Sequence, residues 1–299
     1  MITVTRRLIE LAASKPVLLT GSSGYVGSKL AEELRKHDIG FLGIDKAPGD
    51  TTERQFNLAN EALTRVAVAT LAPGFVVHTG THSALAYQAD FLTTFKEDAD
   101  SLINLLGALR ERPETRFVFF SSSYVYSALD KGARLREDTV LNPAHNFGVA
   151  KAFFEQLVLR QQPNSVVFRL SSVFGHGAQA HPNAIAEMCR QCQTEGRLTV
   201  WGTGERCMQY VYLDDVISYA FEGLALPPGI YNLGGDEYTS VGATAKMIAQ
   251  FFASDSEFLT DKREGDALPF METAKLKTES TSVHSTPLAV AMQEYLRRF

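Results

Sequence analysis

The sequence predicts an α/β protein: a doubly wound parallel sheet followed by a smaller second α/β part. Three observations predict it. Short apolar runs alternate with amphipathic segments through the first 172 of the 299 residues, a glycine-rich turn separates the first run from the first amphipathic segment, and the alternation loosens afterwards. Strands alternating with helices imply a parallel sheet covered on both faces, where the crossover helices bury their apolar stripes.

The elements follow in order. "PVLLTG" supplies a strand at 17 to 19 and "KLAEELRKH" a helix over 28 to 37; "GFLGID" is the next strand, ending at Asp45. "GFVVHTG" and "RFVFFSSS" read as strands on either side of the helix "SLINLLGALRER". "AKAFFEQLVLRQ" is a further helix and "SVVFRLSS" a further strand. Beyond residue 172, Gly and Pro recur in "VFGHGAQAHP", "WGTGER" and "LPPGIYNLGGDEY", and a helix is expected from Pro287 to Phe299. The predicted division is therefore 1–171 for a first part built on the parallel sheet and 172–299 for a second, smaller part, with elements able to interleave. The loops of the second part should face the sheet's C-terminal edge, where open α/β sheets bind ligands.

Composition narrows the partners. With 45% hydrophobic residues, 21% charged residues and a net charge of -5, the chain can bury a full core and has no basic run to attract nucleic acid or an anionic membrane. A small-molecule substrate is expected. Three cysteines in a chain this long argue against a disulfide framework and for a reducing compartment. The start, "MITVTRRLIELAASKPVLLTG", has Glu10 and Lys15 interrupting any apolar stretch, so no export or anchoring signal is read there and a cytoplasmic location is expected.

The turn "TGSSGYVG", Thr20 to Gly27, lies where a dinucleotide loop must lie, between strand and helix. Gly21 allows the tight turn, Gly24 lets backbone approach a pyrophosphate, and Gly27 permits close helix packing; the amides of Tyr25 and Val26 would point at the phosphates. Asp45 follows at the end of the next strand, where a carboxylate accepts both ribose hydroxyls and repels a 2'-phosphate. That favours NAD over NADP, although Lys46 beside it works the other way.

The series of motifs resembles the extended short-chain dehydrogenase/reductase family, in particular its NAD-dependent nucleotide-sugar epimerases and dehydratases. TGxxGxxG is matched by Thr20 to Gly27, the Asp-Leu adenine contact in part by Asn57-Leu58, and HxAA by "HTGT", His78 to Thr81. "SSSYVYS" stands for the serine-rich strand end, Phe147 to Lys151 for YGxxK, "RLSSVFGHG" for RxSNVYGPG, "VWGTGERCMQYVYLDDV" for GxGxxxRDFVxVDDV and "IYNLGG" for the YNLG segment. The resemblance implies a Rossmann-type fold, with Gly21, Ser23, Gly24, Tyr25, Val26, Gly27, Asp45, Asn57, Leu58, Thr79, Gly80 and Lys151 at the cofactor. It also implies an activated, nucleotide-linked sugar as substrate and a reaction through transient hydride transfer, giving epimerisation or keto-sugar reduction.

In such enzymes a Ser or Thr hydroxyl and a Tyr phenol hold the substrate oxygen, while a Lys lowers the phenol's pKa and binds the nicotinamide ribose. Counting back from Val125 in the resembling motif puts Ser122 at the hydroxyl position, and its strand neighbours Ser121 and Ser123 point to the opposite face. Lys151 is present, but Phe147 occupies the tyrosine's position. Three readings stand: a native tyrosine has been replaced; another group, best Tyr124, carries the proton, with His145 a weaker stand-in; or the protein binds NAD and a sugar nucleotide without turnover. Ser172 and Met208 replace the family's Asn and Arg at the diphosphate, with Arg206 two residues away as a substitute contact. Ser123 and Tyr124 occupy the places of the dehydratase acidic pair, which disfavours dehydration. These departures keep open a small non-nucleotide carbonyl substrate.

"CRQC", Cys189 to Cys192, reads as two thiols on an amphipathic helix, and His78 with His82 lack the glutamate of HExxH, so no metal is expected. Helices near 91–111 and 144–161 are apolar on more than one side, and the family pairs such helices across a homodimer.

Overall fold

In the computed structural model, which describes residues 2–130, 132–177, 183–265, 267–280 and 282–299, seven strands form one all-parallel sheet. They are β1 (Val17–Thr20), β2 (Phe41–Asp45), β3 (Arg54–Gln55), β4 (Phe75–His78), β5 (Arg116–Ser122), β7 (Ser165–Leu170) and β11 (Gly229–Leu233), in the spatial order β11-β7-β5-β4-β1-β2-β3. Every residue of β1, β4, β5 and β7 is buried, which is why these segments read as unbroken apolar runs rather than alternating ones.

Successive residues of one strand feed opposite layers. Val17 and Leu19 join α2 (Tyr25–Lys36) and α8 (Leu213–Glu222) in one core layer, through Leu30, Leu34, Val216 and Ile217. Leu18, from the same strand, joins α5 (Phe91–Ala108) and α6 (Asn146–Gln161) in the other, through Leu102, Leu105, Ala150 and Phe154. The remaining helices of this half are α1 (Arg6–Ala13), α3 (Glu61–Leu71) and α4 (Ala84–Ala89). Side chains cap the helix starts: Asn60 for α3, Asp90 for α5 and His145 for α6 each accept a backbone N–H from the first turn.

The second part has its own core around α7 (Ala184–Glu195), α9 (Val241–Phe252) and α11 (Leu288–Arg297), including the buried, free thiols of Cys189 and Cys192. Short sheets surround it: β8 (Ser172–Phe174), β10 (Cys207–Tyr212) and β12 (Tyr238–Ser240) form one, β9 (Arg197–Trp201) and β13 (Asp255–Leu259) another. β6 (Arg134–Leu135) pairs with β14 (Phe270–Met271), ahead of α10 (Ala274–Glu279). The two parts interleave, since β11 and α8 come from beyond residue 172 yet complete the large sheet and its covering layer.

Strand order reverses at β1: the chain runs outward through β2 and β3, then returns to place β4 on β1's other side. The loops after β1 and β4 therefore face each other across a crevice, the place where doubly wound sheets take ligands.

Candidate active site

At that crevice the backbone comes close enough to exclude side chains. Gly21 has φ +73°, and a Cβ there would lie 2.5 Å from the Gly80 amide nitrogen; a Cβ on Gly27 would lie 2.0 Å from the Gly21 carbonyl oxygen. Gly24 caps α2 with no side-chain hydrogen bond, leaving the first helical amides for a ligand. A groove of about 420 Å³ opens here. Gly21, Ser23, Gly24 and Tyr25 line one wall, Asp45, Asn57 and Leu58 another, with Thr79 and Gly80 between them. Val26 and Gly27 stand behind this surface in the first turn of α2. Asp45 is fixed at the rim, its two carboxylate oxygens accepting from Ser23 N at 3.0 Å and Ala47 N at 2.9 Å. The glycine cradle, the uncapped helix start and the fixed carboxylate suit a pyrophosphate joined to a ribose.

Beside the groove stands a second group of side chains. β5 ends in alternating serines: Ser121 donates to the buried Glu155 at 2.5 Å, whereas Ser122 Oγ accepts the Tyr124 amide at 3.3 Å and starts the short 3₁₀ turn Ser123–Tyr126. The Tyr124 ring lies 4.8 Å from that of His145 and 5.8 Å from that of Phe147. His145 Nδ1 accepts the Phe147 amide at 3.1 Å, so this histidine caps α6, and burial lowers its pKa. A Cβ on Gly148 would lie 2.2 Å from the Tyr124 carbonyl oxygen, which seats the turn directly on the helix. One turn along, Lys151 is buried, its ammonium 5.4 Å from the Phe147 ring centroid and donating to Thr81 Oγ1 and the Phe120 carbonyl, both at 2.8 Å. Burial pushes the Lys151 pKa down to about 8. Thr81 itself lines the groove, so Lys151 stands buried one hydrogen bond behind its wall.

Arg206 lines a separate cavity of about 320 Å³ with Trp201, Thr199 and Met188. Among the described residues its guanidinium meets no carboxylate. Met208 packs onto the second core, which explains an apolar residue at this position, while Ser172 sits in β8 opposite Tyr210 and Ser123 is buried in the 3₁₀ turn. None of these three lines the Arg206 cavity.

Residues 17–234 match the model of the NAD dependent epimerase/dehydratase family. The chain belongs to that family. It is 28% identical over 258 residues to an uncharacterized UDP-glucose epimerase of Bacillus subtilis (strain 168), covering 78% of this chain and 80% of that one. It is 25% identical over 302 residues to the methionine adenosyltransferase 2 subunit beta of Danio rerio, covering 95% and 90%. In fold it resembles a UDP-glucose 4-epimerase of Thermotoga maritima solved with UDP-glucose, with a TM-score of 0.83, 18% identity, and coverage of 95% and 99%. The family's cofactor is NAD, and the groove described above has the shape and donors to hold it.

In this member of the family the groove also recruits residues that the sequence did not place at the cofactor. Thr81, His82, Glu97, Asp98 and Ser101 all line it. His82 Nδ1 and Asp98 Oδ1 are 2.6 Å apart, and the Tyr87 hydroxyl donates to Asp98 Oδ2 at 2.8 Å. The bond with Asp98 raises the His82 pKa; burial works to raise that of Asp98, but the bonds from His82 and Tyr87 outweigh it and hold the carboxyl below its ordinary range. The Tyr87 ring in turn lies 5.5 Å from that of Phe147. Thr81 closes the "HTGT" motif and His82 follows it, whereas the polar residues of α5, Glu97, Asp98 and Ser101, carry a pattern that a solvated helix face explains equally well. Among the described residues no cluster of His, Cys, Asp and Glu is arranged for a metal, and no helix is long and apolar enough to cross a membrane.

Proposed function

We propose that the protein is an NAD-dependent epimerase or keto-reductase of a nucleotide-linked sugar, in which Tyr124 replaces the missing tyrosine at position 147. The observation that carries this reading is Lys151, a buried ammonium bonded to Thr81 of the dinucleotide groove, with Ser122 and Tyr124 on the turn packed against its helix. A protein that only held its ligand would gain little from a buried cation whose pKa is depressed toward neutrality.

Bound NAD supplies the hydride acceptor and donor. Ser122 Oγ orients and polarises the sugar oxygen, Lys151 holds the nicotinamide ribose and supplies positive charge, and Tyr124 as phenolate takes the proton of the sugar hydroxyl and as phenol returns it. The cavity beside Arg206 takes the nucleotide, with the guanidinium at its phosphates. Residues 1–171 then serve mainly the cofactor and 172–299 mainly the substrate. The exposed apolar side chains of α5 and α6, Leu92, Ile103, Val149 and Phe153, support pairing of these helices in a homodimer. The free thiols Cys189, Cys192 and Cys207 support a reducing, cytoplasmic setting.

The test is incubation with NAD and a panel of UDP-, dTDP-, GDP- and CDP-sugars, read for epimer, for reduced cofactor and for exchange of substrate hydrogen. Exchange with one nucleotide class is expected. Tight NAD binding without any exchange would instead favour a silent NAD and sugar-nucleotide binding subunit, a reading that the Phe147 substitution and the likeness to a protein named as a subunit both support. Turnover of a small carbonyl compound in place of every sugar nucleotide would move the substrate class.

A further inference from the structure

Lys46 directly follows Asp45, at the edge of the groove where a 2'-phosphate on the adenosine ribose would sit. A free ammonium there would welcome that phosphate and erase the preference Asp45 creates. It is not free. Lys46 Nζ donates to Glu97 Oε1 at 2.7 Å and to His82 Nε2 at 2.9 Å, reaching from the end of β2 to a residue beyond β4 and to α5, with β1 between. The contact with His82 requires an unprotonated Nε2, which matches an Nδ1–H donated to Asp98.

Glu97 is no loose surface partner. It also accepts from Asn57 Nδ2 at 2.8 Å, and Asn57 Oδ1 accepts from the Ala59 amide at 2.9 Å, so the carboxylate is tied to the floor of the groove. Among the described residues that line this end are three carboxylates, Asp45, Glu97 and Asp98, and one ammonium, that of Lys46, with the buried Lys151 ammonium behind Thr81. With Lys46 neutralised by Glu97, a doubly charged 2'-phosphate meets net negative charge and no available donor fork.

We infer that Glu97 is a determinant of NAD over NADP selectivity, acting by holding the Lys46 ammonium away from the ribose edge. The inference rests on the groove being the cofactor site, and binding of NADH by the unsubstituted chain tests that groove separately. The experiment is direct titration of the full chain with NADH and NADPH, by nucleotide fluorescence or calorimetry, in the unsubstituted protein, Glu97→Gln, Glu97→Ala and Asn57→Ala. Both Glu97 variants should shift the affinity ratio toward NADPH by about fivefold or more, chiefly through tighter NADPH, with the shift shrinking as salt is added. Asn57→Ala should weaken both dinucleotides together. A ratio that stays put in the Glu97 variants, or a parallel loss of both dinucleotides as in Asn57→Ala, overturns the inference. Failure of the unsubstituted chain to bind NADH overturns the groove and the inference with it.

Discussion

The Lys151 ammonium lies 5.4 Å from the centroid of the Phe147 ring, and the Tyr124 ring lies 5.8 Å from the same ring on its other contact. Phe147 thus touches both the cation that would tune a phenol and the ring of Tyr124, with the Tyr87 ring, whose hydroxyl is bonded to Asp98, at 5.5 Å as well. Tyr124→Phe should lower substrate-hydrogen exchange by about a hundred- to ten-thousandfold, the usual worth of a general acid/base. Adding Phe147→Tyr to that variant should restore much of the loss, because it places a hydroxyl directly beside Lys151. Exchange rates of the two single variants and the double variant decide it; an unimpaired Tyr124→Phe would remove Tyr124 from the mechanism.

Lys151→Met keeps the buried aliphatic volume and removes the charge. NADH affinity should fall by about tenfold or more, the worth of a charged hydrogen bond, while the thermal midpoint changes little because the cost of burying an ammonium is relieved as its bonds to Thr81 and Phe120 are lost. Titration and melting of the same preparation separate the two effects. A collapse in stability with affinity intact would make Lys151 a structural residue.

His78 gives the fold a predictable acid limit. Burial, with help from the Lys151 charge, pushes its pKa down to about 4; its Nδ1 sits 2.7 Å from Thr20 Oγ1, and its Nε2 is buried without a partner. Between the ordinary value near 6.5 and about 4 the unfolded chain binds the extra proton and the folded chain does not, so stability falls as pH drops through that window. The loss should reach about 3 kcal/mol, and His78→Asn should flatten that part of the profile. Urea unfolding at pH 7.5 and 4.5 would show it, and equal slopes in the two proteins would refute it.

Gly148→Ala should disturb the site through packing alone. The added Cβ would meet the Tyr124 carbonyl at 2.2 Å, backbone against backbone, so the turn and α6 must separate. A loss of about 1–3 kcal/mol in stability is expected, with hydride exchange falling further than NADH affinity because Tyr124 moves and the glycine cradle does not.

The cofactor end was legible in the sequence because its signals are local. Thr20 to Gly27 must turn tightly between strand and helix, and glycine is the residue type that permits it. The fully buried strands were legible for the same reason, as apolar runs bounded by turns. What stayed hidden depends on residues far apart in sequence: Lys151 meets Thr81 across 70 positions and Lys46 meets Glu97 across 51. Periodicity reports which face a residue takes, not which element arrives opposite. β11 shows the same limit, since "IYNLGG" stands out in the sequence as a motif but nothing within it tells which sheet it joins. At Met208 the sequence showed only a lost arginine, whereas the structure shows what was gained, a partly buried side chain packed against the second core.

The return of β11 to the large sheet makes the chain hard to divide. Its five residues pair with β7 from Gly229 opposite Val166 to Leu233 opposite Leu170, and α8, just before it, is buried along its whole length. A fragment ending at residue 171 would bare β7 as a long, flat, apolar edge and strip the covering from one face of the sheet, the kind of surface that recruits other strands and aggregates. Limited proteolysis between the halves should therefore leave two pieces that stay associated, and the nucleotide-binding half is a poor choice as a stand-alone module for transplantation into another protein.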